Sequence, residues 1–457
     1  MLVQFKVGNF LSFNETQTFS MQAGKFRNYS DRLYKENGHK LLKFMSVYGA
    51  NASGKSNLIA AFGFFQTFVI NGFRSGAYPL YCKVKEENKE QKSHFEIKVK
   101  LDNKIFIYGF DAILNTASFT NEFLYEELKN GNIKTVFERN IVEGKFKIGN
   151  FFNSSTTADR LKIYGEDIKN DDSVLFLKIM NQNKDSLYSK NIKLKVFKDL
   201  YLWIKYKLDV NSPESTITNY SLLHDSNNLQ LIADKLNAFS TGIVKFNIVD
   251  VPPEKAASTL PKDVLNDIQQ RLSEQENNNE KNNNYQKSAV LIRTPNNLLI
   301  LELTDDGIIN FKTLEFKHNH SDATFSLEDE SDGTARLLDI IEVLLNQDEE
   351  KVYIIDEINR TFHPLLTVKF VKEFLELAKT RNTQLIVTTH ESQLMNLDLL
   401  RKDEINFIDK NEFGFSYIYS LDKFDDRFDK KVVKEYFKGK YDAIPSFGYN
   451  IKSNTES

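Results

Sequence analysis

The sequence predicts an α/β fold: a mixed, largely parallel sheet with helices on both faces, added antiparallel β-strands, and a mainly helical insertion that interrupts the sheet. Three observations lead there. An apolar strand pattern at 43–48 runs into a glycine-rich turn and then into a helical pattern. Beyond Ser331, helical and strand patterns alternate strictly, and the strands read as apolar runs of Val, Ile and Leu, as in a parallel sheet covered on both faces. Between these two regions the apolar residues recur mostly at helical spacing.

The 457 residues correspond to about three structural units as a length prior. With 41% hydrophobic and 27% charged residues the chain is able to bury a substantial core. Sixty Lys and Arg against 63 Asp and Glu leave a net charge of −3, which excludes a protein whose whole surface is basic but not a local basic groove. A single cysteine, Cys82, excludes an internal disulfide framework and a cysteine zinc cluster, and it fits a reducing, cytoplasmic setting. No stretch of 18 apolar residues occurs, so no membrane span is expected.

Taken in order, Val3, Phe5 and Val7 alternate with Gln4, Lys6 and Gly8, the period of a half-buried strand. A second strand pattern covers 17–21, and a third covers 43–48. Residues 55–70 read as a helix, and strands are expected over 94–101, 104–110 and 122–127. From 171 to 207 apolar residues recur at helical spacing, and 221–239 and 261–273 also read as helices. The polar run 274–284, rich in Asn and Glu, has nothing to pack and reads as an exposed tip. Strands return at 289–293 and 298–303. The closing alternation is helix 334–346, strand 352–355, helix 364–380, strand 384–388, helix 392–401 and strand 405–409. The expected domains are an N-terminal part of an α/β lobe over 1–155, a mainly helical insertion over 156–285, and the rest of that lobe over 286–457.

Gly49-Ala-Asn51-Ala-Ser53-Gly54-Lys55-Ser56 matches the phosphate-loop pattern G-x-x-x-x-G-K-[ST] at every defined position. The glycines let backbone N–H groups turn inward around phosphate oxygens, and the following helix adds its positive end. Lys55 is expected to reach the β- and γ-phosphates and Ser56 to ligate Mg²⁺. The apolar strand 352–355 ends in Asp356-Glu357. Asp356 is the expected Mg²⁺ ligand, and Glu357 the base that orients and deprotonates the attacking water. Strand 384–388 leads to His390, which as neutral imidazole can hydrogen-bond a γ-phosphate or that water. Ser331-Asp-Gly333-Thr, just before a helix, offers further donors to an anion. By itself this last pattern is an ordinary helix cap, and His363 is expected to pack or cap beside the helix that follows it.

The order of phosphate loop, insertion, Ser-x-Gly, acidic strand and histidine strand resembles the ABC-type ATPase heads of transporters and structural-maintenance-of-chromosomes proteins. Tyr48-Gly-Ala-Asn-Ala-Ser-Gly-Lys-Ser-Asn57, Asp356-Glu-Ile-Asn-Arg-Thr-Phe-His-Pro364 and Tyr436-Phe-Lys-Gly-Lys-Tyr-Asp-Ala-Ile-Pro445 look more narrowly like a bacterial AAA/ABC-like ATPase family. That family occurs in abortive-infection and other anti-phage loci, such as the ATPase component of PARIS-type or AbiL-type systems. The resemblance covers both ends of the chain well and the insertion loosely. It implies ATP and Mg²⁺ as cofactors, with Gly49, Asn51, Ser53, Gly54, Lys55, Ser56 and Asn57 around the nucleotide. It also implies a homodimer of heads or a larger homo-oligomer, in which Ser331 and Gly333 of one chain close the other chain's site. The signature Glu330-Ser331-Asp-Gly333-Thr keeps only the Ser and one Gly of the transporter form.

Two functional classes follow. One is an ATPase switch that holds or releases a separate toxin or nuclease effector, with a phage-derived trigger. The other is a DNA-binding repair or chromosome-maintenance ATPase, which the near-neutral charge and short insertion disfavour. A built-in nuclease, as in the overcoming-lysogenization-defect type, would need a further acidic metal-binding domain, and only a short tail follows Leu421.

Overall fold

The computed structural model of the protein describes residues 1–36, 38–74, 76–152, 155–190, 192–213, 226–257, 265, 268, 269, 272, 289–293, 297–304, 308–424 and 432–444. The chain divides into two compact units. The first comprises Met1–Val210, Asp348–Asn359 and Val368–Ser457, and the second Asn211–Gln347 with Arg360–Thr367. The expected polar tip 274–284, Pro445 and most of the expected helix 261–273 lie outside the described residues.

Two sheets organise the first unit. One is antiparallel, with strands in the spatial order Lys145–Ile148, Ile133–Asn140, Ser118–Glu127, Lys104–Ile113, Ser93–Leu101, Leu2–Gly8 and Gln17–Ser20. Its alternation is legible in Ser93–Leu101, where buried Phe95, Ile97 and Val99 are separated by half-buried Glu96 and Lys98, so one face meets the core. On the other face, Lys6 lies opposite Glu96 in register and pairs with it at 2.8 Å.

The second sheet has the order Leu208–Asn211, Val352–Ile355, Gln384–Thr388, Phe44–Tyr48, Ile405–Lys410 and Ser416–Ser420. Val352–Ile355, Gln384–Thr388, Phe44–Tyr48 and Ile405–Lys410 run parallel as successive neighbours, and Ser416–Ser420 closes an antiparallel hairpin. Of the four inner strands, Val352–Ile355, Gln384–Thr388 and Phe44–Tyr48 are buried at every position, which explains their unbroken apolar sequences.

The helix Lys55–Asn71 follows the phosphate loop and is buried on most sides, as a helix with apolar residues all round must be. Its Phe62 stacks on Phe5 at 3.9 Å, Phe64 on Phe95 at 4.9 Å and Phe65 on Phe110 at 5.7 Å. The same apolar core takes in Val47, Ile354, Ile386 and Ile408 of the parallel sheet. Gln384 ties the two sheets together through polar contacts. Its Oε1 accepts from Leu2 N at 2.7 Å, and its Nε2 donates to Leu2 O and Leu42 O, both at 2.9 Å.

Residues 156–285 are mainly helical where described, with helices at Ser155–Ile168, Phe176–Met180, Asp185–Lys190, Lys195–Leu202 and Ser226–Ala238. They do not form one unit, which departs from the expected boundaries at 155 and 285. Residues up to Val210 fold with the first unit, and the reason is a buried anchor. Glu122 accepts from Phe176 N at 2.6 Å, Leu177 N at 3.0 Å and Tyr108 Oη at 2.9 Å, and faces Arg139 Nη1 at 3.5 Å. Arg139 also donates to the carbonyls of Val174, Ile168 and Asp171. Phe137, Phe176 and Phe197 pack around this anchor.

The second unit holds an antiparallel sheet ordered Ile243–Asp250, Ile309–His318, Leu298–Leu303 and Ala289–Arg293, with Thr324–Ser326 also paired to Ile309–His318. Strands 289–293 and 298–303, expected in the lobe of the phosphate loop, therefore belong here. Leu299, Leu301 and Phe311 lie in its core.

The expected helix 392–401 does not form. A short 3-10 turn, Ser392–Leu394, gives way to an Asx turn in which Asn396 Oδ1 accepts from Asp398 N at 2.9 Å. Arg401 N, which a helix would have given to the Leu397 carbonyl, donates instead to Glu404 at 2.8 Å, and that carbonyl accepts from Tyr29 Oη. The expected helix 334–346 is split into Asp332–Ile340 and Glu342–Leu345. Among the described residues no helix is long and apolar enough to cross a membrane.

Candidate functional site

Because Phe44–Tyr48, Gln384–Thr388 and Val352–Ile355 are parallel neighbours, their carboxyl ends lie at one edge of the sheet. Thr388 pairs with Val47, and Ile355 with Val387. Gly49, His390 and Asp356 follow these ends directly, so the phosphate loop, the histidine and the acidic pair share that edge. In open α/β sheets this is where ligands bind.

The loop is built tightly. Gly54 precedes the helix at φ 119°, and a Cβ there would run into Ser416 Oγ and lie 2.9 Å from Ser12 Oγ. A Cβ on Gly49 would collide with the Ile408 carbonyl. Ser12 and Ser416 clamp the loop from outside: Ser416 Oγ donates to Ser12 Oγ at 2.7 Å and also meets Ser53 O, while Asn57 Nδ2 donates to Ser12 Oγ at 2.6 Å. Lys55 is 6% exposed, and its Nζ donates to Gly49 O and Ala50 O, each at 2.9 Å. Burial lowers its ammonium pKa, and Asp356 and Glu357 oppose that shift. Asn51 and Ser56 are exposed.

Asp356 is 5% exposed and accepts from Thr388 Oγ1. The same hydroxyl accepts from Glu357 N at 2.8 Å. Glu357 stands at φ 48°, unusual for a side-chain-bearing residue. Asn359 Oδ1 accepts from Thr389 Oγ1 at 3.0 Å and from His390 N at 3.2 Å, so the two strand ends are cross-linked twice. Burial and then the Lys55 charge hold the His390 imidazole below its usual range, while Glu357 and Asp356 pull it upward. These four ionisable groups feel one another's charges.

The donor set fits a Mg²⁺–nucleotide. Ser53 Oγ is buried with no hydrogen-bond partner, an unused polar atom inside the phosphate loop. The glycines let the loop pack directly on the Ile408 carbonyl and on Ser12 and Ser416. A carboxylate and a hydroxyl of the kind Asp356 and Ser56 offer match the sparse protein ligand set of Mg²⁺ when phosphates and waters complete its shell. A cavity of about 430 Å³ is lined by Leu11, Ser12, Asn57, Leu80, Lys83 and Lys410 among others, and of the expected nucleotide residues only Asn57 reaches it.

Ser331 and Gly333 belong to the second unit. Ser331 caps Asp332–Ile340 by accepting from Thr334 N at 3.1 Å. Gly333 has little space, since a Cβ would lie 3.2 Å from Thr361 O. His363 Nδ1 accepts from Leu365 N at 3.3 Å, so of packing and capping it does the second. The C-terminal segment packs on the parallel sheet, with Tyr436 and Tyr441 stacked on Phe407 and Tyr436 against Tyr48. Sequence reasoning passed over Ser12, Ser416, Thr388 and Asn359. Thr388 and Asn359 stand within two residues of His390 and Glu357, a proximity that could have flagged them, whereas Ser416 has no local signal.

Fold and sheet-edge site together define a P-loop nucleotide-site lobe of the AAA/ABC kind. The family described as "AAA domain, putative AbiEii toxin, Type IV TA system" matches residues 44–396, more than half of the chain. The chain belongs to that family, a family of P-loop ATPases. No curated protein matches it. Among solved structures, it is similar to an Smc head bound to the C-winged helix domain of ScpA (14% identity, TM-score 0.36, covering 92% of this chain and 97% of that one). It is also similar to the SMC head domain from Thermotoga maritima (13%, 0.36, 92% and 98%). A third is an Smc head domain with an extended coiled coil bound to the C-terminal domain of ScpA derived from Pyrococcus furiosus (15%, 0.39, 92% and 97%).

Proposed function

We propose that the chain binds ATP with Mg²⁺, hydrolyses it, and uses the nucleotide state to control a separate effector in anti-phage defence. The ATPase part rests on the convergence of the phosphate loop, Asp356-Glu357 and His390 at one sheet edge, with the unpartnered Ser53 hydroxyl inside the loop. Gly49, Asn51, Ser53, Gly54, Lys55 and Asn57 would surround the nucleotide, and Ser56 and Asp356 would hold Mg²⁺. The metal, when bound, neutralises charge on the β- and γ-phosphates. Glu357 would take the proton of the attacking water and His390 would hydrogen-bond the γ-phosphate. Ser331 and Gly333 would serve the site of a second copy in paired heads.

The toxin–antitoxin setting is supported by the family's own description, which names an AbiEii toxin of a type IV system and no separate effector. The segment 156–285, free of nucleotide-site motifs, would carry the effector or trigger contact. The test is a titration with a fluorescent ATP analogue, phosphate release, and phage plating, each for wild type and Lys55→Ala. Loss of all three in the mutant supports the proposal, and unchanged nucleotide affinity overturns it. A salt-dependent gel shift with a non-hydrolysable ATP analogue would move the reading towards DNA.

A further inference from the structure

Thr388 is wholly buried and sits in the last position of the histidine strand. Its hydroxyl makes two contacts to the neighbouring strand end, and they reach different members of the acidic pair. It donates to Asp356 Oδ1 and accepts from Glu357 N at 2.8 Å. The proton therefore turns one oxygen of Asp356 towards the sheet and leaves the other for a metal or its waters. The accepted N–H fixes the peptide that carries Glu357 at its left-handed φ of 48°, a conformation held only when the surroundings impose it. Ile358 N donating to Thr388 O at 3.1 Å completes the same lock. No other described hydroxyl touches both carboxylate-bearing residues.

We infer that Thr388 is a positioning residue for the acidic pair, setting the metal-side orientation of Asp356 and the direction of Glu357 with one hydroxyl. The inference rests on the nucleotide reading above. Thr388→Val removes the hydroxyl at nearly constant volume, and Thr388→Ser keeps it. Groups that orient a metal ligand typically contribute about 10–100-fold in metal affinity or activity, so the valine variant should need about 10–100-fold more Mg²⁺ for half-maximal phosphate release. Its affinity for a fluorescent ATP analogue without Mg²⁺ should be unchanged, because the phosphate loop follows another strand.

A readout independent of turnover is amide hydrogen exchange across 356–359, expected to be faster in Thr388→Val and at the wild-type rate in Thr388→Ser. Unchanged exchange, or faster exchange with an unchanged Mg²⁺ requirement, overturns the inference. The serine variant behaving like the valine one also overturns it, since shape rather than the hydroxyl would then matter. A wild-type protein that binds no nucleotide refutes the ATPase reading and this inference with it; that failure shows in the wild type, whereas failure of Thr388 alone shows only in the variants.

Discussion

Replacing Glu404 with glutamine tests how the parallel sheet is held on the side away from the phosphate loop. Glu404 is buried immediately before Ile405–Lys410, and its backbone carbonyl accepts from Ser46 Oγ of the phosphate-loop strand at 3.0 Å. Its carboxylate accepts from Arg401 N at 2.8 Å, but Arg32 Nη2 is 3.7 Å away. Arg401 gives its Nε and Nη2 to Asp403, at 2.8 and 2.7 Å. Burial therefore outweighs the arginines and pushes the Glu404 carboxyl from 4.5 up to about 7.

A carboxyl whose pKa is raised on folding binds its proton more tightly in the folded state. The stability it contributes is complete below about pH 4.5 and is lost as pH rises through about 7. At about 1.4 kcal/mol per unit, the gap corresponds to about 3 kcal/mol. Glutamine keeps an acceptor for Arg401 N and carries no charge. Glu404→Gln should thus match wild type at about pH 4 and exceed it at about pH 8 by up to about 3 kcal/mol. Urea unfolding followed by circular dichroism at both pH values measures this. A mutant-to-wild-type difference that is the same at both, or that favours wild type at pH 8, would show that Arg32 and Arg401 stabilise the ionised carboxylate, and would refute the reasoning.

Glu357→Gln should still bind ATP and Mg²⁺ but release phosphate about 10²–10⁴-fold more slowly, because the amide orients water without taking its proton; near-normal turnover would shift that role to another group. Ser331→Arg mixed with Lys55→Ala should recover part of the ATPase rate from two inactive parents. A mixture as inactive as each parent, with subunit exchange verified, rules out the composite site. Glu122→Ala strands Arg139 and two backbone N–H groups in the core, so it should cost about 3–5 kcal/mol in urea unfolding and expose 156–210 to limited proteolysis. A loss under 1 kcal/mol would mean that aromatic packing alone anchors that segment.

What was legible in the sequence had local causes. Val352–Ile355 and Gln384–Thr388 were found at their observed bounds because strands buried on both faces are unbroken apolar runs. The phosphate loop was legible because its glycines and lysine are contiguous. What was not legible depends on register between distant strands. The contact of Ser416 with Ser12 spans 404 residues, and nothing near either serine announces it. The unit boundary at Val210 was hidden for the same reason. Residues 171–207 carry a helical pattern, but what anchors them in the first unit is a carboxylate at Glu122, in a strand expected over 122–127. At 392–401 the helical pattern was real, and side chains outside it, Glu404 on Arg401 N and Tyr29 on the Leu397 carbonyl, took both ends of a bond the helix needed.

The electrostatics of Lys55 bear on what the loop selects. Its ammonium is desolvated, and Asp356 and Glu357 stabilise the charged form. Its hydrogen bonds go to two neutral carbonyls of its own loop, Gly49 and Ala50. A phosphate oxygen arriving there replaces neutral acceptors with a charged one, and charge-assisted bonds are about twice as strong. The same phosphate meets two carboxylates, so an anion alone gains at Lys55 and loses at Asp356 and Glu357. A divalent cation arriving with it reverses the second term. The residues at this edge therefore favour a metal-bound polyphosphate over a bare one, and the coupling is set by how firmly Thr388 and Asn359 hold the acidic strand end beside the histidine strand.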